Sequence, residues 1–261
     1  MKKREVVDLT LILLWPIAAS LLSFLINANT LVSTLLFFGL PSAYLSWRKP
    51  AFIKKVAIFS LILSIPVAIF FDYIMEVTGG WYLPHSVFDP YRLFGFVVLE
   101  QFIWLFLYAY FIAIFSETFL ERHKPRTSFD KHLKYLAIIM WGLLGIFLIL
   151  YFSNPALLRI DYFYLKIGIV LGLIPIIIGF IRMPTLIARF FITGAYFFIL
   201  SLIYELTALA LGQWSFPAEK QFIGMLNFGG LRFPFEEFFF WILLGAMATL
   251  TWYEFFADDE K

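Results

Sequence analysis

The chain is laid out as long apolar runs separated by short polar breaks, and the runs recur from one end to the other. About twenty consecutive apolar residues in a helix cross the hydrocarbon of a bilayer. By that measure the pattern predicts eight helices, at roughly 9–26, 31–47, 56–76, 94–117, 134–152, 161–181, 188–211 and 233–256. Pro16, Pro41, Pro66 and Pro175 fall inside these spans and are expected to kink them, which neighbours in a bundle tolerate. The expected fold class is therefore all-α, a polytopic membrane protein of about eight transmembrane helices. No small-residue cleavage site follows the first run, so it reads as a span and not as a removable signal. No soluble domain is expected at either end.

The second half of the pattern echoes the first at an offset of 133 to 137 residues. Arg48-Lys49-Pro50 and Lys55 are matched by Arg182-Met183-Pro184 and Arg189. Asp72, upstream of Trp81-Tyr82-Leu83-Pro84, is matched by Glu205, upstream of Trp214-Ser215-Phe216-Pro217. Leu99-Glu100-Gln101-Phe102 is matched by Phe235-Glu236-Glu237-Phe238, and Glu117 by Glu254 near the far end of the same helix. Four correspondences in register predict a duplication: a first four-helix repeat over 1–127 and a second over 128–261. An even number of spans per unit gives both copies the same orientation, hence a tandem, parallel repeat about an axis along the membrane normal.

Composition agrees, with 62% hydrophobic and only 15% charged residues. The placement of the charges says more than their sum. Lys2, Lys3, Arg4, then Arg48 to Lys55, Arg122 to Lys134, Arg182, Arg189 and Lys261 fall on one side of the predicted topology. Arg92, Arg159, Lys166, Lys220 and Arg232 fall on the other. The bias predicts an integral protein of the cell membrane with both termini cytoplasmic. Arg92 and Arg232, each shortly before a glutamate, are expected to meet lipid phosphate more readily than an acid. The absence of cysteine excludes disulfides, thiolate nucleophiles and thiolate metal sites.

Acidic residues near the hydrocarbon cost a few kcal/mol each, so they are read as functional. Glu236 and Glu237 open the last apolar run, within Leu231–Trp241, and Glu100 opens the fourth; Asp72 and Glu205 close the third and seventh. All five are expected at one depth near the outer leaflet. Helical spacing stacks Glu100 with Trp104 and Tyr108, and Glu237 with Trp241 and Gly245. A cavity lined by acids and aromatic faces follows, with Trp81, Trp104, Trp214, Phe238 and Trp241 as its expected lining. Glu236 and Glu237, side by side and half desolvated, are not expected to ionise together, which leaves one protonated acid. A neutral acid among Phe and Trp faces suits protonation of an alkene, because π-faces and a carboxylate stabilise the cation that forms. A polyisoprenoid dissolved in the bilayer is the matching substrate class.

The segment Pro234-Phe235-Glu236-Glu237-Phe238-Phe239-Phe240, with an upstream acid and a Gly-x-Trp-type element, in a duplicated all-helical membrane chain, resembles the integral-membrane lycopene cyclases, both the heterodimeric bacterial type and the fused archaeal and fungal cyclase domains. The resemblance implies an intramolecular isomerase or lyase that cyclises the linear end groups of lycopene or a related carotenoid without net redox change. It carries the catalytic role to Glu236 and Glu237, with Asp72, Glu100 and Glu205 as candidate partners. In the first copy only Glu100 matches, since Val98 replaces the proline and Gln101 the second glutamate.

Other chemistry is weaker. Trp241 stands where an intramembrane CAAX-type protease needs Arg, and His85, His123 and His132 lie in loops. Clustered aspartates for a magnesium diphosphate are absent, as are a glycine-rich dinucleotide fingerprint and a nucleophile elbow. No metal and no cofactor site is expected in the chain, a flavin or nicotinamide in trans being left open. The expected partners are the carotenoid and the lipid membrane, with no nucleic acid; a homodimer is left open. Two alternatives fit the same residues: a small transporter whose carboxylates relay protons, and a binding or accessory subunit that kept the fold after losing the chemistry.

Overall fold

The computed structural model describes residues 3–121 and 130–258. Seven helices are each long and apolar enough to cross a membrane: α1 (Arg4–Leu25), α2 (Thr30–Arg48), α3 (Pro50–Val77), α4 (Leu99–Phe119), α5 (Leu133–Ser153), α6 (Phe163–Arg182) and α7 (Pro184–Ala210). An eighth, α8, comes in two pieces, Glu237–Leu243 and Gly245–Phe256, bent by 48° where they meet. The architecture is all-α apart from one hairpin of strands β1 (Met225–Phe228) and β2 (Leu231–Pro234).

Two expected boundaries move. The fourth helix starts at Leu99 and not at 94, because Leu93 and Val97 pair through both backbone groups (2.8 and 2.9 Å) and close a tight turn. The eighth starts near Glu237 and not at 233, because Leu231–Pro234 pairs as a strand with Met225–Phe228. Pro234 brings no backbone donor, so it can end the ladder and let the helix begin. Pro16 and Pro66 lie inside α1 and α3. Pro41 and Pro175 instead follow π-type turns, Leu35–Gly39 and Gly168–Leu173, whose looser hydrogen bonding accommodates a missing donor.

The two halves correspond element by element. Each second helix carries its π-type turn at the same place, and each passes into the next through one non-helical residue, Lys49 (φ −134°, ψ 61°) or Met183 (φ −131°, ψ 56°). A single 3₁₀ turn follows in both, Pro50–Phe52 and Pro184–Leu186. Helix α3 ends at Gly79 (φ 70°) and α7 at Gly212 (φ 65°), a left-handed stop that glycine adopts without steric cost. Packing is exchanged between the halves: α1 lies on α7 and α5 on α3, while α4 and α8 meet in the middle. Tyr82 and Ser215, equivalent positions of the two copies, exchange reciprocal backbone hydrogen bonds of 2.9 and 3.0 Å, and Trp81 stacks on Trp214 at 5.4 Å. The offset is 136 from Glu100 to Glu236 but 137 from Glu117 to Glu254. The π-type turn over Glu237–Leu243 has no counterpart in α4 and absorbs the extra residue.

At the end of the bundle opposite the hairpin, six charges in three equivalent pairs make a buried, exchanged network. Lys55 binds Glu117 of its own half and Asp258 of the other, each at 2.9 Å. Arg189 binds Glu254 of its own half at 2.8 Å and Glu121 of the other at 3.2 Å. The Tyr253 hydroxyl also donates to Glu117. Arg48, Lys49, Lys54, Lys131, Lys134 and Arg182 belong to this same end by their places in the helices. Lys2, Arg122, His123, Lys124, Arg126 and Lys261, and the expected boundary between the repeats at 127/128, lie outside the described residues. Removing one partner of a buried ion pair strands its opposite charges, at a cost of about 3–5 kcal/mol. Lys55→Met and Arg189→Met are therefore each expected to lower the thermal denaturation midpoint of the detergent-solubilised protein sharply, whereas Lys54→Met, on the exposed face, leaves it within about 0.5 kcal/mol of the parent.

Candidate functional site

Asp72 and Glu205 lie in the last turns of α3 and α7, and Glu100, Glu236 and Glu237 in the first turns of α4 and α8, so all five acids occupy the hairpin end. Each is at most 4% exposed. They do not converge on one point.

Glu100 turns away from the bundle interior. Its carboxylate accepts from the Ser86 hydroxyl at 2.8 Å and the Val87 backbone N–H at 2.5 Å, and so ties the 78–98 loop to the start of α4. Glu236 repeats the device: it accepts from the Ile223 N–H at 2.8 Å and ties down the loop before the hairpin. The pairs Val87/Glu100 and Ile223/Glu236 have the same spacing in both copies. Adjacent residues on a helix point about 100° apart, and Glu237 accordingly faces the other way. Its Oε2 accepts from the Tyr164 hydroxyl at 2.7 Å. The expected side-by-side pair of Glu236 and Glu237 is therefore split, one carboxylate holding a loop and the other facing a cavity. Asp72 is buried but lines neither of the cavities described next.

Glu237 projects into a partly open cavity of about 1060 Å³, its mouth included, between α3, α4, α6 and α8. Trp81, Trp104, Tyr108, Phe240, Trp241 and Trp252 supply aromatic faces; Gln101, Tyr164 and Glu237 supply the polar groups at one end. The stacking expected on α4 is shifted by one residue, so that Gln101 shares the cavity with Trp104 and Tyr108 in place of Glu100. On α8, Glu237, Trp241 and Gly245 share a face as expected. Trp104 and Trp241 meet at 4.4 Å and Tyr108 and Trp241 at 3.9 Å across the junction of the two halves. With the π-type residue discounted, Trp104 and Trp241 are equivalent positions. Phe238 lies outside the lining and packs on Phe198. A Cβ on Gly168 would sit 2.3 Å from the Phe240 ring, so only glycine there lets that ring cross α6.

Behind this cavity lies a smaller one of about 270 Å³, lined by Thr30, Gln101, Tyr204, Glu205, Trp214 and Glu237 among others. Glu205 Oε1 accepts from the Trp214 indole N–H at 3.1 Å, and its Oε2 has no hydrogen-bond partner. Glu237 is the one acid that lines both spaces. No protein-family model, curated protein or solved structure matches the chain. Among the described residues no three His, Asp or Glu side chains group as metal ligands do.

Arg92 and Arg232, expected at lipid phosphate, pair with acids in the structure. Arg92 lies 3.6 Å from Glu76 and donates to the Leu83 carbonyl at 2.9 Å; Arg232 lies 2.8 Å from Glu219.

Sequence reasoning did not single out Tyr164 or Gln101. The repeat could have found both: Tyr164 occupies the position of Thr30, a hydroxyl for a hydroxyl, and Gln101 that of Glu237. Gly172 lines the large cavity with open space beside it, Phe240 lying 3.9 Å from a Cβ built there. Gly172→Leu is expected to fill that space without unfolding the bundle. A linear polyene that quenches tryptophan fluorescence in the parent protein should then quench at least tenfold less well at equal concentration, measured by titration in nanodiscs.

Proposed function

We propose that the protein is an acid–base isomerase of the membrane interior, which cyclises the end group of a linear carotenoid or related polyisoprenoid. One observation carries the reading: a single carboxyl group, Glu237, set at the end of a deep aromatic cavity inside a bundle of membrane-spanning length. A hydrocarbon chain gains roughly 0.8 kcal/mol per buried CH₂ in leaving water, but almost nothing in passing from lipid to an apolar cavity. Shape and π-contacts, not hydrophobicity, must then seat the substrate, and the Trp104, Tyr108 and Trp241 cluster offers both.

The chemistry balances without a redox partner. Protonated Glu237 gives its proton to the terminal double bond; an O–H bond breaks, a C–H bond forms, and a tertiary carbocation results. A nearer double bond of the same chain supplies its electron pair, closes the ring and passes the positive charge inward. Loss of a proton from a neighbouring ring carbon to the Glu237 carboxylate restores the double bond and the acid, leaving composition unchanged. Trp241 and Trp104 lie where a cation beside Glu237 meets their π-faces. The Tyr164 hydroxyl orients Glu237 and stabilises its anion after proton donation. By the positive-inside rule the hairpin end, and the acid with it, faces away from the cytoplasm.

Expression in cells that accumulate a linear carotenoid tests the reading. Extracts are expected to show a new cyclised pigment of unchanged mass. Glu237→Gln should lower its formation at least a hundredfold, in the range for loss of a general acid, at unchanged membrane protein level. Tyr164→Phe should lower it about tenfold, the loss of one hydrogen bond to a charged group. An unchanged chromatogram from well-folded parent protein, or full activity in Glu237→Gln, would refute the proposal.

A further inference from the structure

We propose that Glu205 and Glu237 work as one acid pair across the smaller pocket, sharing one proton that Glu237 gives to the substrate and recovers from it in each turnover. The inference deepens the reading of Glu237 as the acid and rests on different observations. Glu205 does not line the large cavity, so it touches no substrate there; it acts through Glu237 as a positioning residue. Its side chain is 1% exposed, one oxygen is held by Trp214 and the other is unpartnered in a pocket that Glu237 also lines. Asp72, Glu76, Glu236 and Glu254 also carry a buried oxygen without a hydrogen-bond partner, which costs desolvation, but none of them lines either space. The pocket is tight, with room for about one water, and Thr30 and Gln101 in its wall supply polar partners for it.

The duplication isolates the pair. The positions equivalent to Glu205 and Glu237 in the first half are Asp72 and Gln101. Gln101 cannot titrate, and Asp72 lines neither space. Two acids facing one shared pocket thus occur in one copy alone, the copy whose acid enters the large cavity. Stacked Trp81 and Trp214 close over this pocket and the Trp104 and Trp241 contact stands in its wall. A proton can therefore pass between the acids without crossing the space where a carbocation would form.

The titratable groups around the pair are few. Tyr164, Tyr108 and Glu236 neighbour Glu237, and Tyr204 adjoins Glu205. Glu236 is bound to its loop.

Infrared titration of the carboxyl C=O stretch, on the full chain in nanodiscs without substrate, tests the pairing independently of the reaction. Glu205→Gln is expected to move the midpoint of the Glu237 band by about one pH unit or more, the mark of coupled sites. Glu237→Gln should move the Glu205 band equally, and Glu100→Gln neither. Trp214→Phe, which removes the donor to Glu205 and keeps an aromatic ring beside Trp81, should also move the Glu237 midpoint, and it serves if Glu205→Gln fails to fold. Midpoints of Glu237 that stay put in both Glu205→Gln and Trp214→Phe would overturn the pairing and leave the cyclase reading standing. Coupled midpoints in a chain inert towards linear carotenoids would instead sustain the pairing and remove the reaction proposed for it.

Discussion

A carboxyl group inside an apolar helical bundle needs a partner, and the solutions found for that need organise this molecule. At the end opposite the hairpin every buried acid of the network meets a cation, and the pairs are exchanged between the halves. At the hairpin end Glu100 accepts from a hydroxyl and a backbone N–H, and Glu236 from one backbone N–H, of the loops they hold. Among the described residues Glu237 has the Tyr164 hydroxyl, and Glu205 the Trp214 indole, as its side-chain donor. What sets these two apart from the other acids is that they face a cavity.

Duplication explains both the economy of the fold and where it departs from symmetry. Equivalent positions meet across the axis at Tyr82 and Ser215, at Trp81 and Trp214, and at Trp104 and Trp241. The departures gather at the cavity. Gln101 replaces the second glutamate, Tyr164 replaces Thr30, and one extra residue loosens the start of α8 into a π-type turn. Glu237, Trp241 and Gly245 all line the cavity, and the helix bends by 48° between Leu243 and Gly245. A single asymmetric acid in a symmetric frame suits a reaction in which one end group enters at a time.

Hydropathy alone made the spans legible, because a twenty-residue apolar run has few alternatives. The repeat was legible too, since Arg48/Arg182, Asp72/Glu205 and Glu100/Glu236 keep their spacing in the chain. Less legible was which acid faces where. Glu236 and Glu237 are adjacent in sequence and were read as one pair, yet a helix turns them about 100° apart, and a backbone N–H thirteen residues upstream claims the first. The same holds for Glu100, whose cavity face passes to Gln101. The hairpin was hidden because Leu231–Pro234 is as apolar as the helix it precedes, and only its pairing with Met225–Phe228 marks it as a strand. Long-range partners such as Tyr164 for Glu237 cannot be read from local pattern at all.

The central claim is that a linear polyisoprenoid places its end group against Glu237 in the cavity between α3, α4, α6 and α8. Photo-crosslinking tests it most directly, using a linear carotenoid with a terminal diazirine and mapping the adducts by mass spectrometry. Adducts concentrated on Gln101, Trp104, Phe240 and Trp241, and lost on competition with unlabelled carotenoid, are the predicted result. Adducts spread over the lipid-facing residues of α1 and α5, with none in the cavity, would contradict the account.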